Sequence, residues 1–183
     1  MDEPSSGPEG TLPDILVMGV GSVLMKDEGT GVLAIEELQR RFLFPPNVEL
    51  LDGGTSGIEL LSYISRKDHL IIIDAIKGGS PPGTVLKVEG ADVPARFRTR
   101  ISPHQIGLSD LLAAASLTDE LPKALVLFGI EPKVIEMGLG LSGDVEEGMP
   151  KLLDAVVGEL RRLGCDVRPL ADVPDKRSMW SPV

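Results

Sequence analysis

Short apolar runs alternate along this chain with longer stretches whose apolar residues recur at helical spacing. The uninterrupted runs predict buried strands at 14–20, 48–51, 70–74, 84–88 and 124–130. The amphipathic stretches predict helices at about 31–41, 57–66, 106–115 and 150–163. Ser56 followed by Glu59 reads as a capping box for the second helix, and Pro150 suits the first turn of the last. Strands and helices taking turns predict one three-layer α/β/α domain with a mixed, mostly parallel central sheet of about five strands. Only Pro81, Pro82 and Gly83 lead into the fourth strand, too little for a crossover helix, so that strand is expected to run antiparallel to its predecessor.

Composition sharpens this picture. With 42% hydrophobic but only 3% aromatic residues, the core has to be filled by Leu, Ile, Val and Ala, which suits a parallel sheet covered on both faces. A length of 183 residues fits a single domain, expected at 14–165, between an extension at 1–13 and a tail at 166–183. Both ends are rich in Pro and charge without periodicity and are expected to be loosely ordered, the second from Val167 onward. A formal net charge of −10 excludes nucleic acid as a partner, because phosphate binding needs clustered Lys and Arg. No apolar run approaches the roughly 20 residues that cross a bilayer. The first ten residues are acidic and polar rather than a signal peptide, so a cytoplasmic protein without membrane insertion is expected. No heptad pattern or long apolar stripe is visible, which makes a monomer the default. Cys165 is the single cysteine, with no local base to activate it, and reads as a packed thiol.

The chemistry gathers at strand ends. After the first strand comes Gly19-Val-Gly-Ser-Val-Leu-Met-Lys-Asp-Glu28, which has two glycines of a dinucleotide fingerprint but Leu24 in place of the third. Asp27 and Glu28 put negative charge where a pyrophosphate would sit, so a nucleotide-binding reading is disfavoured and the loop looks suited to a cation. Glu28 also begins a helix, where a carboxylate is favourable without any ligand. Asp74 closes an apolar strand after three isoleucines, and burying it calls for a cation or several hydrogen-bond donors. Asp52-Gly-Gly-Thr-Ser-Gly57 follows another strand: a tight turn, or glycines against which a substrate backbone could lie. In a parallel sheet these three strand ends share one edge, the usual place for a ligand.

His104, read as lying in a loop, either is simply solvated or completes with Glu28 and Asp74 an oxygen, oxygen, nitrogen set for a divalent metal. His69 starts a strand and reads as structural. Arg96, Arg98 and Arg100 alternate as strand side chains do, forming a solvated face or a contact for an anionic partner. Serine-hydrolase elbow, His-Glu-x-x-His and Walker motifs are absent.

The ordered set Gly19-Val-Gly-Ser22 with Asp27-Glu28, Asp52-Gly-Gly-Thr55, Asp74-Ala-Ile76 and Ser102-Pro-His-Gln105 resembles the nickel-iron hydrogenase maturation endopeptidases over about 14–163. The resemblance implies an aspartyl-type endopeptidase that removes the C-terminal extension of the hydrogenase large-subunit precursor after nickel insertion. The nickel is then carried by the substrate as its recognition element, and no permanent cofactor is expected. Glu28, Asp74 and His104 match the family's metal-contacting residues, with Glu28 and Asp74 also able to assist proton transfer. Asp52, Gly53, Gly54 and Thr55 are the candidate substrate-binding residues. Without thiolates or several imidazoles, such a site should hold free nickel weakly. The residues after His104, Gln105 to Leu108, match best the members serving uptake-type, membrane-associated hydrogenases. A checkpoint or chaperone that grips the large subunit without cutting it would use the same residues.

Overall fold

A computed structural model describes residues 12–97 and 103–171, with the side chains of Pro103 and His104 outside that description. Five strands form the central sheet: β1 (Ile15–Val20), β3 (Val48–Gly54), β4 (His69–Ala75), β5 (Val85–Glu89) and β6 (Ala124–Ile130), in the order β3-β1-β4-β6-β5. β1 pairs in parallel with β3 and β4, and β4 in parallel with β6. β5 closes the edge antiparallel to β6, and therefore also to β4, as the short link before it requires.

β1 is buried at every position, and β4 and β6 at all but their first, which is why they read as solid apolar runs. Alternate residues feed two cores. Ile15, Val17, Ile71, Ile73, Val126 and Phe128 face α1 (Thr30–Arg41) and α5 (Gly143–Arg162). Leu16, Met18, Leu70, Ile72, Leu125 and Leu127 face α2 (Leu61–Ile64), α3 (Asp92–Phe97) and α4 (Pro103–Leu117). Each such fully buried side chain contributes on the order of 2 kcal/mol. Among the described residues no helix is long and apolar enough to cross a membrane.

Several elements depart from their predicted form. α5 starts at Gly143, seven residues before Pro150, which lies inside the helix. Proline there removes one bond to the Glu146 carbonyl, and both residues are exposed, so water can take its place. The predicted 57–66 helix is a 3-10 turn (Ile58–Leu60) followed by the single turn α2. The capping box does not form: Glu59 accepts a bond from the Gly57 N–H at 2.9 Å, and the Ser56 N–H goes to the Gly53 carbonyl. The segment at Arg96 is helical, because Val93 and Phe97, four apart, are both buried in the second core. Arg98 and Arg100 lie outside the described residues. The tail does not begin loose: Val167 is buried, and β7 (Arg168–Pro169) pairs with β2 (Phe42–Leu43). Cys165 is buried beside the Asn47 amide, and burial pushes its thiol up, away from nucleophilic use.

Edge strand β5 is tied down by charge. Glu159 on α5 accepts bonds from Lys87 of β5 at 3.0 Å and from Arg162 one turn on, and its side chain is only 4% exposed. The Arg162 guanidinium foremost, with Lys87, holds the Glu159 carboxyl below its ordinary range although desolvation opposes this. Its folded pKa is thus below its unfolded value, so the stabilisation is complete above the latter and disappears as pH falls through the former. Glu159→Gln should therefore cost about 1–3 kcal/mol in urea unfolding at pH 7, with the deficit shrinking as the pH is taken to 4 and below.

Candidate active site

The glycines after β1 are taken up by the protein's own backbone. A Cβ on Gly19 would lie 2.1 Å from the Gly31 carbonyl oxygen, and one on Gly31 would lie 2.2 Å from that of Ile73. The start of α1 is thereby pressed onto β1 and β4. Gly21, at φ +124°, turns the chain so that its Cα faces the Glu28 carbonyl, where a Cβ would come within 1.9 Å. The space a pyrophosphate needs is occupied by the 3-10 turn Lys26–Gly29, which packs on the end of β4. The nucleotide reading therefore fails on space as well as on charge.

That turn brings Glu28, 7% exposed, to the carboxyl edge of the sheet beside the end of β4, where Asp74 is fully buried. The Asp74 Oδ1 accepts the Ala75 N–H at 2.8 Å, and its Oδ2 accepts the Gln105 amide at 3.3 Å. Through that second bond the first turn of α4 is tied to β4. α4 begins at Pro103, favourable at a first helical position, so His104 belongs to a helical turn rather than a loop. The backbone thus brings the His104 position next to Asp74 through Gln105, while the His104 imidazole itself lies outside the described residues. Among the described residues no group of three His, Cys, Asp or Glu could hold a metal ion; of the three residues expected at a metal, Glu28 and Asp74 are described and buried.

The fourth strand end was missed by sequence reasoning. Glu131 directly follows the apolar strand β6, much as Asp74 comes at the end of the apolar run of β4, and the same rule would have found it. It is 6% exposed and accepts N–H bonds from Gly78, Gly79 and Ser80, fixing the loop that leaves β4. Asp27 was taken together with Glu28, yet it has a different task. Fully buried, it accepts the N–H groups of Lys133, Val134 and Ser142 at 2.6–2.9 Å and the Ser142 hydroxyl at 2.8 Å. It pins the 132–142 loop to the turn that carries Glu28. Gln105 was quoted only within a motif; nothing in the sequence marked it as the partner of Asp74.

The Asp52 to Thr55 segment stands on the same edge. Gly53 is buried against Met18 and the Gly19 carbonyl, Asp52 and Thr55 are exposed, and the Asp52 Oδ1 accepts the Gly54 N–H at 2.9 Å. The Gly54 carbonyl takes the Gly21 N–H at 2.8 Å, joining this turn to the one after β1. Gly57 meets Gly107 of α4 at backbone contact, which sets how closely α4 approaches. The edge therefore offers two carboxylates, of a chemistry suited to a hard or borderline cation or to a proton, and a glycine turn exposed at Asp52 and Thr55.

The family model for hydrogenase maturation proteases matches residues 32–159. The hydrogenase 2 maturation protease of Escherichia coli is 44% identical over 162 residues, covering 88% of this chain and 99% of that protein. The hydrogenase expression/formation protein HupD of Thiocapsa roseopersicina is 39% identical, over 87% of this chain and 73% of that one. Among solved structures, the hydrogenase maturating endopeptidase HybD from E. coli superposes with a TM-score of 0.83 at 45% identity, over 86% of this chain and 98% of that chain. The maturation protease HybD from Thermococcus kodakarensis gives 0.66 at 27% identity, over 79% and 97%. With its five-stranded mixed sheet and its acidic carboxyl edge, this chain belongs to the hydrogenase maturation protease family.

Proposed function

We propose that this peptidase removes the C-terminal extension of a nickel-iron hydrogenase large-subunit precursor after nickel has been inserted, and that it recognises the nickel its substrate carries. The observation that carries this reading is the fully buried Asp74, tied through Gln105 to the α4 turn that begins Pro103-His104-Gln105, with the buried Glu28 on a 3-10 turn that packs on the same strand β4. On this reading Glu28, Asp74 and His104 contact the nickel that arrives with the precursor. The turn at Asp52, Gly53, Gly54 and Thr55, exposed at Asp52 and Thr55, receives the substrate backbone. Glu28 or Asp74 takes a proton as the scissile peptide is attacked by water.

The test is intact-mass analysis of a cognate, nickel-loaded precursor incubated with the wild-type protein and with His104→Ala. The expected result is loss of a C-terminal peptide with the wild type and a rate lower by about 100-fold or more with the variant. A loaded, cognate precursor that is bound but stays full length would overturn the cleavage reading in favour of a checkpoint that only grips it.

A further inference from the structure

Beside the Glu28 turn lies a surface that neither fold nor catalysis accounts for. Gly138 pairs in parallel with Met25: its N–H donates to the Leu24 carbonyl at 2.9 Å, and its carbonyl accepts the Lys26 N–H at 3.0 Å. This register sets Leu24 beside Met137 and Lys26 beside Leu139. Leu24 is 59% exposed, Met137 86% and Leu139 45%, and Ile135 is exposed on the same loop. The Lys26 stem runs over Gly138 between them, and its ammonium pairs with Glu136 at 2.5 Å.

A loose loop could display apolar side chains by default, but this one is built. Asp27 spends a fully buried carboxylate on four bonds that hold it in place, while its apolar side chains are left in water. Ordering the loop in advance lowers the entropy cost of binding something there. Two features say what. The surface is continuous with the candidate active site, since Leu24 lies four residues before Glu28 and the loop is clamped to the residue preceding Glu28. It is also neutral within a chain of net charge −10, because Lys26 and Glu136 cancel, so it suits an uncharged apolar segment rather than a basic one. Met137 adds an adaptable, polarizable contact.

We propose that Leu24, Ile135, Met137 and Leu139 form the docking surface for an apolar polypeptide segment of the substrate precursor, near the bond to be cut. This inference rests on the reading given under Proposed function. It is tested with the full chain, cleaving the nickel-loaded precursor, by comparing wild type with Leu24→Asp/Met137→Asp, with the milder Leu24→Gln/Met137→Gln, and with Leu117→Asp on α4, a residue 88% exposed. The docking pair should raise KM by about tenfold or more with kcat little changed, the Gln pair less so, and Leu117→Asp should match wild type. Melting temperatures should stay close to wild type, since the altered side chains are solvent-exposed. Unchanged KM in both docking variants overturns the inference while leaving the protease intact. Unchanged KM together with loss of a wild-type dimer on size exclusion would instead assign the surface to a second copy of this chain. A wild type that leaves the loaded precursor whole fails the functional reading itself, and the docking inference falls with it.

Discussion

Asp74→Asn should fold and lose precursor cleavage by about 100-fold or more, the range expected when a positioned proton-transfer group is removed. Asparagine has the shape of aspartate, and its Oδ1 can still accept the Ala75 N–H. Its amide would face the Gln105 amide, which can turn over to present its own oxygen. What is lost is the charge, which on the proposed reading serves both as oxygen ligand for the substrate's nickel and as proton acceptor. The two readouts are intact mass of the precursor over time and the melting temperature of the variant. Cleavage at the wild-type rate by a folded Asp74→Asn protein would remove Asp74 from the reaction.

Gly31→Ala should act the other way, on the fold first and on activity through it. The added methyl would lie 2.2 Å from the Ile73 oxygen and 2.3 Å from the Val20 oxygen, both backbone atoms of central strands that cannot give way independently. The start of α1 has to lift off the sheet, at a cost of about 3 kcal/mol or more, a large part of the ~5–15 kcal/mol that holds a domain together. For a chain of this size that lowers the melting temperature by roughly 6–12 °C. Because Glu28 lies three residues upstream, cleavage by the surviving folded fraction should fall too. Gly158→Ala is the control: its methyl would meet nothing within 4 Å on exposed α5, so it should stabilise by about 0.5–1 kcal/mol. Differential scanning calorimetry of the two variants decides the point. Equal melting temperatures would mean the α1 contact is not tight in solution.

The prediction worked best where burial on both faces wrote itself into the sequence. β6 lies at 124–130 as expected, and β1 and β4 differ by a residue or two at their ends. Elements that bury one face or a few residues were blurred. α3 was lost because Arg96 and its neighbours mimic strand alternation, while the Val93 and Phe97 pair that builds the helix is only two residues long. α5 was cut short because Pro150 resembles a helix start, whereas the acidic Asp144 and Glu146 mark the first turn.

The candidate site divides in the same way. Asp74 was legible because a carboxylate at the end of an apolar run is costly unless something compensates it, and Glu28 because it puts negative charge into a glycine loop that a pyrophosphate would otherwise suit. By itself, then, the sequence determined the α/β class, the parallel core and the sheet edge on which the buried Asp74 stands. Only the tertiary structure decided that the glycines of the first turn seat α1 rather than a nucleotide, and that Asp27, next to Glu28, clamps a loop. It alone revealed that Gln105 joins α4 to Asp74. These are contacts between residues up to 115 positions apart, and no local propensity records which donor a buried carboxylate will meet.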